Sequence, residues 1–158
     1  MSSPGSGWPW ERYAPVVMTA VRAGVPVIGA NLPREEQRAA MKDDTLEALL
    51  APAALQQQEQ AIRRGHCGLL PEHQVLPMTR VQIARDRSMA QTISLAAAPG
   101  RVVVLIAGSG HVAPDLGVPQ HLPQGLAVRS LLLPGEDTGK DYCGDLRNSV
   151  PGRTMGQR

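Results

Sequence analysis

The stretch that decides the predicted fold is Arg101-Val-Val-Val-Leu-Ile-Ala-Gly-Ser-Gly-His111. Its apolar run, residues 102–107, is rich in β-branched side chains and is followed by glycine, which predicts a buried strand of a parallel or mixed sheet. His111 then stands just past the carboxyl end of that strand. Open α/β sheets collect their ligands at this edge, because the loops there rest on a rigid base and reach solvent. The sequence therefore predicts a ligand site around His111.

Three kinds of site could use this turn. A dinucleotide fingerprint fits residues 108–113, but it needs a helix directly afterwards, and the prolines and glycines of residues 112–125 oppose one. A serine nucleophile elbow is rejected because glycines do not stand two residues before and two after Ser109. A G-x-x-H turn that presents His111 to a metal, a haem or a proton stays open. So does the alternative, a histidine that is only hydrogen-bonded within its loop.

Composition limits the class of protein. The chain has 158 residues, of which 42% are hydrophobic, so a single domain with a real core is expected. Its net charge is +2 and only 3% of its residues are aromatic, which gives no sign of a nucleic-acid-binding stripe. No apolar run approaches the ~20 residues of a membrane span, and the start of the chain lacks the pattern of a signal peptide. The two cysteines, Cys67 and Cys143, are too few for a disulfide framework, although one bridge between them is possible.

Periodicity predicts alternating helices and strands, as in an α/β fold with a central mixed or parallel sheet flanked by helices. We expect a domain over residues 11–145 between flexible tails at 1–10 and 146–158, with polar, irregular sequence from Cys143 onward. The predicted elements are, in chain order, helix 11–23, strand 25–29, one or two helices in 34–50 broken near Asp43-Asp44, helices 52–65 and 74–97, and strands 102–107 and 126–133.

Other candidate side chains each have two interpretations. His66 follows a helix end beside a thiol, and could be a metal or haem ligand or a cationic helix cap. Tyr142 could offer a phenolate to ferric iron, or be an ordinary surface tyrosine. Gln82 and Asp86 fall on the apolar stripe of the longest predicted helix. They are therefore expected either in an internal hydrogen-bond network or facing a cavity.

With these pieces assembled, the chain resembles the ChaN-like haem-binding uptake family of bacteria, part of the wider Tiki/TraB/erythromycin-esterase superfamily. The similarity extends from about Tyr13 to Tyr142. Two runs carry most of it, because together they are fairly specific: Gln82-Ile-Ala-Arg-Asp-Arg-Ser-Met-Ala90 and Val104-Leu-Ile-Ala-Gly-Ser-Gly-His-Val112. Further matching segments are Gly24-Val-Pro-Val-Ile-Gly-Ala-Asn-Leu-Pro-Arg34, Gly65-His-Cys-Gly68 and Gly117-Val-Pro119.

The resemblance implies an α/β fold and haem binding for iron acquisition, often by dimers and often on membrane-attached or periplasmic lipoproteins. His111 looks like the second G-x-x-H motif of the superfamily, whose metalloprotease relatives bind a divalent metal. We expect His66, His111 and Tyr142 to hold haem iron and Arg85 to meet the propionates. In the haem-binding branch the implied iron ligand is a tyrosine. Tyr142 is chosen here on its chemistry, since no matching motif carries that ligand.

The chain also departs from the family pattern. Family members begin with a strand and a Gly-Glu-x-His segment, which residues 1–12 lack, so we expect the chain to be the carboxyl-terminal portion of the domain. Membrane association would then depend on an absent anchor, and the exposed sheet would favour homodimers. Three functions follow: a haem-binding protein that is not an enzyme, a metal-dependent hydrolase that uses His111 with Glu72 or Asp86, and a structural fragment without a ligand.

Overall fold

The computed structural model describes residues 10–135 and 139–149, and within these ranges the regular structure is helical. The elements are α1 (Trp10–Arg22), α2 (Arg34–Ala40), a 3-10 helix (Asp44–Leu49), α3 (Pro52–Gly65), α4 (Glu72–Ala96), a second 3-10 helix (Val118–His121) and α5 (Tyr142–Ser149). The helices predicted before residue 100 are confirmed, including the break near Asp43-Asp44. The prediction of irregular sequence after Cys143 was wrong, because α5 begins there. Most of the two predicted tails lies outside the described residues.

The long helix α4 is the centre of the fold. It packs against α2, α3 and both 3-10 helices. Because neighbouring elements cover α4 on several sides, buried residues occur around much of its circumference. The buried residues are Val75, Thr79, Val81, Ile83, Ala84, Asp86, Met89 and Ala90. Ile83 and Asp86 are completely buried. The side chains that α4 presents to its neighbours therefore determine what the interior can contain.

Two apolar clusters lie along α4. Cluster one joins α4 to α2 and the first 3-10 helix through Ala40, Leu46, Leu50, Val81, Ile83 and Ala84. Cluster two joins α4 to the second 3-10 helix through Met89, Ala90 and Val118, with Leu105, Ala107 and Leu122 packed against it. Arg80 also holds the first 3-10 helix in place, since its Nε donates to Glu47 at 2.7 Å and its Nη1 donates to the carbonyl of Met41 at 3.1 Å.

The prediction of a central mixed or parallel sheet flanked by helices was wrong. None of the residues that the structure describes belongs to a β-strand. Residues 25–29, 102–107 and 126–133 have no assigned helix or strand, and none of the described backbone hydrogen bonds joins one of these runs to another. A strand is stable only when its backbone N–H and C=O groups pair with a neighbouring strand, and side-chain periodicity does not supply that neighbour.

Residues 102–107 show why the sequence signal looked like a strand. Leu105 and Ala107 face cluster two, while Val102 and Val104 on the opposite face are 86% and 76% exposed. The alternation is therefore real, but α4 covers one face only and no described segment pairs with the backbone of this run. None of the described helices combines the length and apolar composition that crossing a bilayer requires.

Candidate functional site

The G-x-x-H turn places His111 inside the protein. The backbone N–H of His111 donates to the carbonyl of Gly108 at 2.9 Å, and its own carbonyl accepts from the N–H of Val118 at 2.8 Å. These bonds tie the turn to the second 3-10 helix. His111 is only 8% exposed. Its imidazole therefore faces α4 and not the solvent.

On α4, two polar side chains one turn apart meet this imidazole. The Nδ1 of His111 lies 2.5 Å from Oδ1 of Asp86 and 3.0 Å from the amide nitrogen of Gln82. The shorter, charge-assisted contact determines where the proton sits, so we assign Nδ1–H as the donor to Asp86. The amide nitrogen of Gln82 is itself a donor, so in this tautomer it is a neighbour of Nδ1 and not its hydrogen-bond partner. The Nε2 of a neutral His111 then keeps its lone pair. A carboxylate that orients a histidine in this way is common behind metal-binding and proton-transferring imidazoles.

The electrostatics of this cluster are governed by burial. Burial raises the pKa of Asp86, and the hydrogen bond and charge of His111 oppose that rise. Burial also lowers the pKa of His121, which lies on the second 3-10 helix, and the charge of Asp86 opposes that shift. The Oδ2 of Asp86 and the Nε2 of His121 are both buried without a hydrogen-bond partner in the described structure. Such atoms cost stability until something pairs with them.

The lowered pKa of His121 predicts a pH-dependent stability. Between its folded pKa and the ordinary value of 6.5 the unfolded chain binds more protons than the native state, so the free energy of unfolding should rise with pH across that window and level off above it. Urea denaturation at a series of pH values measures this. His121→Gln should flatten the rise, whereas the control His73→Gln, which removes an exposed histidine, should retain it. An unchanged rise in His121→Gln would contradict the assignment.

The bridge that the sequence left open is formed: Cys67 and Cys143 are joined by a disulfide across 76 positions, with their Cα atoms 5.6 Å apart. His66 directly precedes one cysteine and Tyr142 directly precedes the other. Because consecutive Cα atoms are about 3.8 Å apart, the Cα atoms of His66 and Tyr142 lie within about 13 Å of each other. Tyr142 is 65% exposed. The bond therefore brings an imidazole and an accessible phenol to one end of the molecule.

His66 has a defined tautomer. It caps the carboxyl end of α3, and its Nδ1 lies 2.8 Å from the carbonyl oxygen of Ile62. A carbonyl only accepts, so Nδ1 carries the proton and the Nε2 of the neutral ring keeps its lone pair. A histidine whose ring N–H is held by a backbone carbonyl is the usual arrangement for an imidazole that binds a metal through its other nitrogen.

An ion-pair network holds this end of α3 against the start of α4. Arg63 donates to Glu59 at 3.3 Å and to Glu72 at 2.5 Å. The hydrogen bond from Arg63 is the main cause of the lowered pKa of Glu72. Glu72 was one of two carboxylates expected to converge on His111. It is occupied with Arg63 instead, and the carboxylate that reaches His111 is Asp86.

The four candidate site residues form two groups. His66 and Tyr142 lie at the disulfide, whereas His111 and Arg85 lie near the middle of α4. Arg85 is 13 residues beyond Glu72, which is about 20 Å along the helix. Its Nε donates to Oδ1 of Asn31 at 2.9 Å. One small ligand cannot contact all four side chains in this arrangement.

Two further features bear on ligand binding. A groove of about 370 Å³ lies between α2, the first 3-10 helix and α4, and its lining includes Leu32, Leu46, Arg87 and Ser88 but none of the four candidate residues. Within residues 10–135 and 139–149, no three His, Cys, Asp or Glu side chains are grouped to hold a metal ion. The described geometry therefore gives the hydrolase hypothesis a histidine–carboxylate pair but not a metal-ligand set.

The four site residues selected from the sequence did not include Asp86, Gln82 or His121, although Asp86 was one of the two carboxylates considered as a partner of His111. A signal for the first two was present, since both stand four residues apart on the apolar stripe of α4, and the expected internal hydrogen-bond network is what the structure contains. No local signal marked His121. Its burial depends on the packing of the second 3-10 helix against α4, which is a tertiary contact.

Comparison with known families identifies the class. The family described as haem-binding uptake, Tiki superfamily, ChaN matches residues 2–122, which is most of the chain. The protein therefore belongs to the ChaN family of haem-binding uptake proteins, as the resemblance had predicted. The match includes His66, Arg85 and His111, and ends before Tyr142. Comparison with curated proteins and with solved structures gives no match.

Proposed function

We propose that this protein binds haem for uptake, and that His66 and Tyr142 are its iron ligands. The observation that carries the proposal is the pairing of a histidine of fixed tautomer with an exposed phenol on the two sides of one disulfide. Membership of a haem-binding uptake family supplies the ligand class. Imidazole and phenolate are both established axial ligands of haem iron, and phenolate suits the ferric state.

The residues at this end of the molecule suit such a ligand. Nε2 of His66 would bind iron with its lone pair, and the Tyr142 phenol would bind after losing its proton to solvent. Arg64, an exposed cation two residues before His66, would pair with a propionate. Arg85 remains the alternative propionate partner, but its Nε is already committed to Asn31. In this proposal the protein carries haem and does not transform it.

The buried pair of Asp86 and His111 then has a structural role. His111 is 8% exposed and its Nδ1 is already used, so iron would have to displace packed side chains to reach it. Substitutions in the two groups should therefore have different effects. Loss of His66 or Tyr142 should weaken haem binding and leave stability nearly unchanged. Loss of His111 should lower stability first.

Hemin titration followed at the Soret band tests the assignment. We expect Tyr142→Phe and His66→Ala each to weaken hemin binding about tenfold or more, as loss of an iron ligand or its direct support does at other metal sites. The matched controls are Tyr13→Phe, on α1, and His73→Ala, an exposed histidine on α4. Both should bind as the unmodified protein does. Unmodified protein that behaves like a hemin-only blank would end the proposal, and equal affinity in Tyr142→Phe would remove Tyr142 from it.

Other expectations from the resemblance stay predictions. Self-association is one, supported by exposed apolar side chains on the segments that had been predicted as strands, such as Val102, Val104 and Leu133. Measuring the molar mass of the protein with and without hemin during the titration would show whether a homodimer forms. A role in iron acquisition and attachment to a membrane through an anchor are further proposals.

A further inference from the structure

Among the contacts described for residues 10–135 and 139–149, the disulfide is the main one that holds helix α5. None of its eight residues is buried, and the hydrogen bonds described for residues 142–149 join them to neighbours within residues 140–149. The preceding residues 123–135 are almost all exposed. The bond between Cys67 and Cys143 is therefore the main described restraint on the position of Tyr142 relative to His66.

The other end of the bond is firmly placed. Beyond α3, the N–H of Gly68 donates to the carbonyl of Arg63 and the N–H of Cys67 donates to that of Arg64, each at 2.9 Å. These two hydrogen bonds form a Schellman motif, in which Cys67 takes the left-handed position at φ 56°. Glycine is the usual residue there, because a β-carbon disfavours that conformation. The motif nevertheless fixes the Cys67 side chain on the α3 end, one residue from His66.

We propose that the Cys67–Cys143 disulfide assembles the haem site and that its reduction by a dithiol disassembles it, an inference that rests on the proposed His66 and Tyr142 ligands. A thiolate of the dithiol attacks one sulfur of the bond, which breaks the protein S–S bond, releases the other cysteine as a thiolate and forms a mixed disulfide. Its second thiol then displaces the cysteine. Two electrons and two protons pass to the protein, which leaves two cysteine thiols, and the dithiol becomes a disulfide.

Reduction should separate the ligands without unfolding the core. Both apolar clusters, with the side chains packed on them, lie within residues 30–122 and contain no part of α5. Tyr142 lies 20 positions beyond Leu122, the last residue packed on cluster two, and the disulfide is the covalent shortcut across that distance. A flexible chain of 20 residues has a root-mean-square span of about 25 Å. The local concentration of the phenol near His66 therefore falls steeply.

The first arm of the experiment uses the haem-free protein. Limited proteolysis with and without dithiothreitol, followed by mass spectrometry, should show new cleavage confined to residues 123–149 on reduction, with α3 and α4 protected as before. Cleavage that does not change on reduction would overturn the inference, because α5 would then be held by other contacts. New cleavage throughout α3 and α4 would also overturn it, because the bond would then support the whole fold.

The second arm measures hemin binding without reductant. The double variant Cys67→Ser/Cys143→Ser should bind hemin at least about tenfold more weakly than the oxidised protein. Adding Tyr142→Phe to this variant should cause little further loss, because the phenol no longer reaches the iron. If the oxidised protein binds hemin and the double serine variant binds it equally tightly, the inference fails while the proposed function stands. If the oxidised protein binds no hemin, the proposed function itself fails, and the proteolysis arm still reports on the bond.

Discussion

Replacement of Asp86 by alanine is expected to lower the free energy of unfolding by about 3 kcal/mol, because it leaves a buried hydrogen-bond donor without its charged acceptor and removes packed side-chain volume. Asp86 is fully buried, and its Oδ1 lies 2.5 Å from Nδ1 of His111. Alanine leaves that nitrogen without its partner in the interior and opens a cavity beside α4. Urea denaturation at pH 7 measures the change.

Two further variants, one at position 86 and one at an exposed carboxylate elsewhere, test this explanation. Asp86→Asn keeps the shape and an acceptor oxygen for Nδ1–H while removing the charge. Because burial raises the pKa of Asp86, the buried charge is itself unfavourable, so the amide should cost only about 1 kcal/mol. The matched control Asp115→Ala removes an exposed carboxylate and should stay within about 0.5 kcal/mol of the unmodified protein. An Asp86→Ala variant as stable as that control would contradict the described contact.

The second large effect is expected from Gly117→Ala. A β-carbon at Gly117 would collide with the carbonyl oxygen of His111, and would lie 2.5 Å from its carbonyl carbon and 2.8 Å from the carbonyl oxygen of Gly110. All three atoms belong to the backbone, so no side chain can rotate away. The turn must move, at a cost of about 2 kcal/mol. Its movement should also draw His111 away from Asp86.

Chemical denaturation gives the stability change of this variant, and the NMR signals of the His111 imidazole report its displacement. Gly110→Ala is the matched control, because a β-carbon there meets nothing within 4 Å and the residue needs no left-handed backbone. It should leave both measurements nearly unchanged. If Gly117→Ala and Gly110→Ala behave alike, the close approach of Gly117 to His111 is not as described.

The helices could be predicted because their signals are local. Each backbone bond of a helix joins residues four apart, and the pattern of apolar residues repeats every 3.6 positions. Helix 52–65 was therefore predicted with the bounds that α3 has, and α4 within two residues at each end. The strand predictions failed because the same apolar alternation at 102–107 is satisfied by packing one face against α4. A sheet also needs a second segment whose backbone lies alongside the first. The sequence of one segment does not show whether such a neighbour exists.

For the candidate site, the sequence could supply residue types but not their grouping. It selected His66, His111, Arg85 and Tyr142, and the structure separates them into a group at the disulfide and a group near the middle of α4. The partner of His111 proved to be Asp86, one of the two carboxylates that the hydrolase hypothesis had named. The hemin titrations test the two of them, His66 and Tyr142, that are proposed as iron ligands.

The sequence by itself determined the helices and their ends, membership of a haem-binding uptake family, and the presence of an imidazole in a glycine-rich turn. Only the tertiary structure decided that this imidazole is buried on Asp86, that the predicted strands stand unpaired, and that Cys67 and Cys143 hold His66 and Tyr142 at one end of the molecule. The physical reason is distance along the chain. Helix propensity acts between residues three or four apart, whereas a disulfide across 76 positions or a hydrogen bond across 25 depends on how separate elements pack.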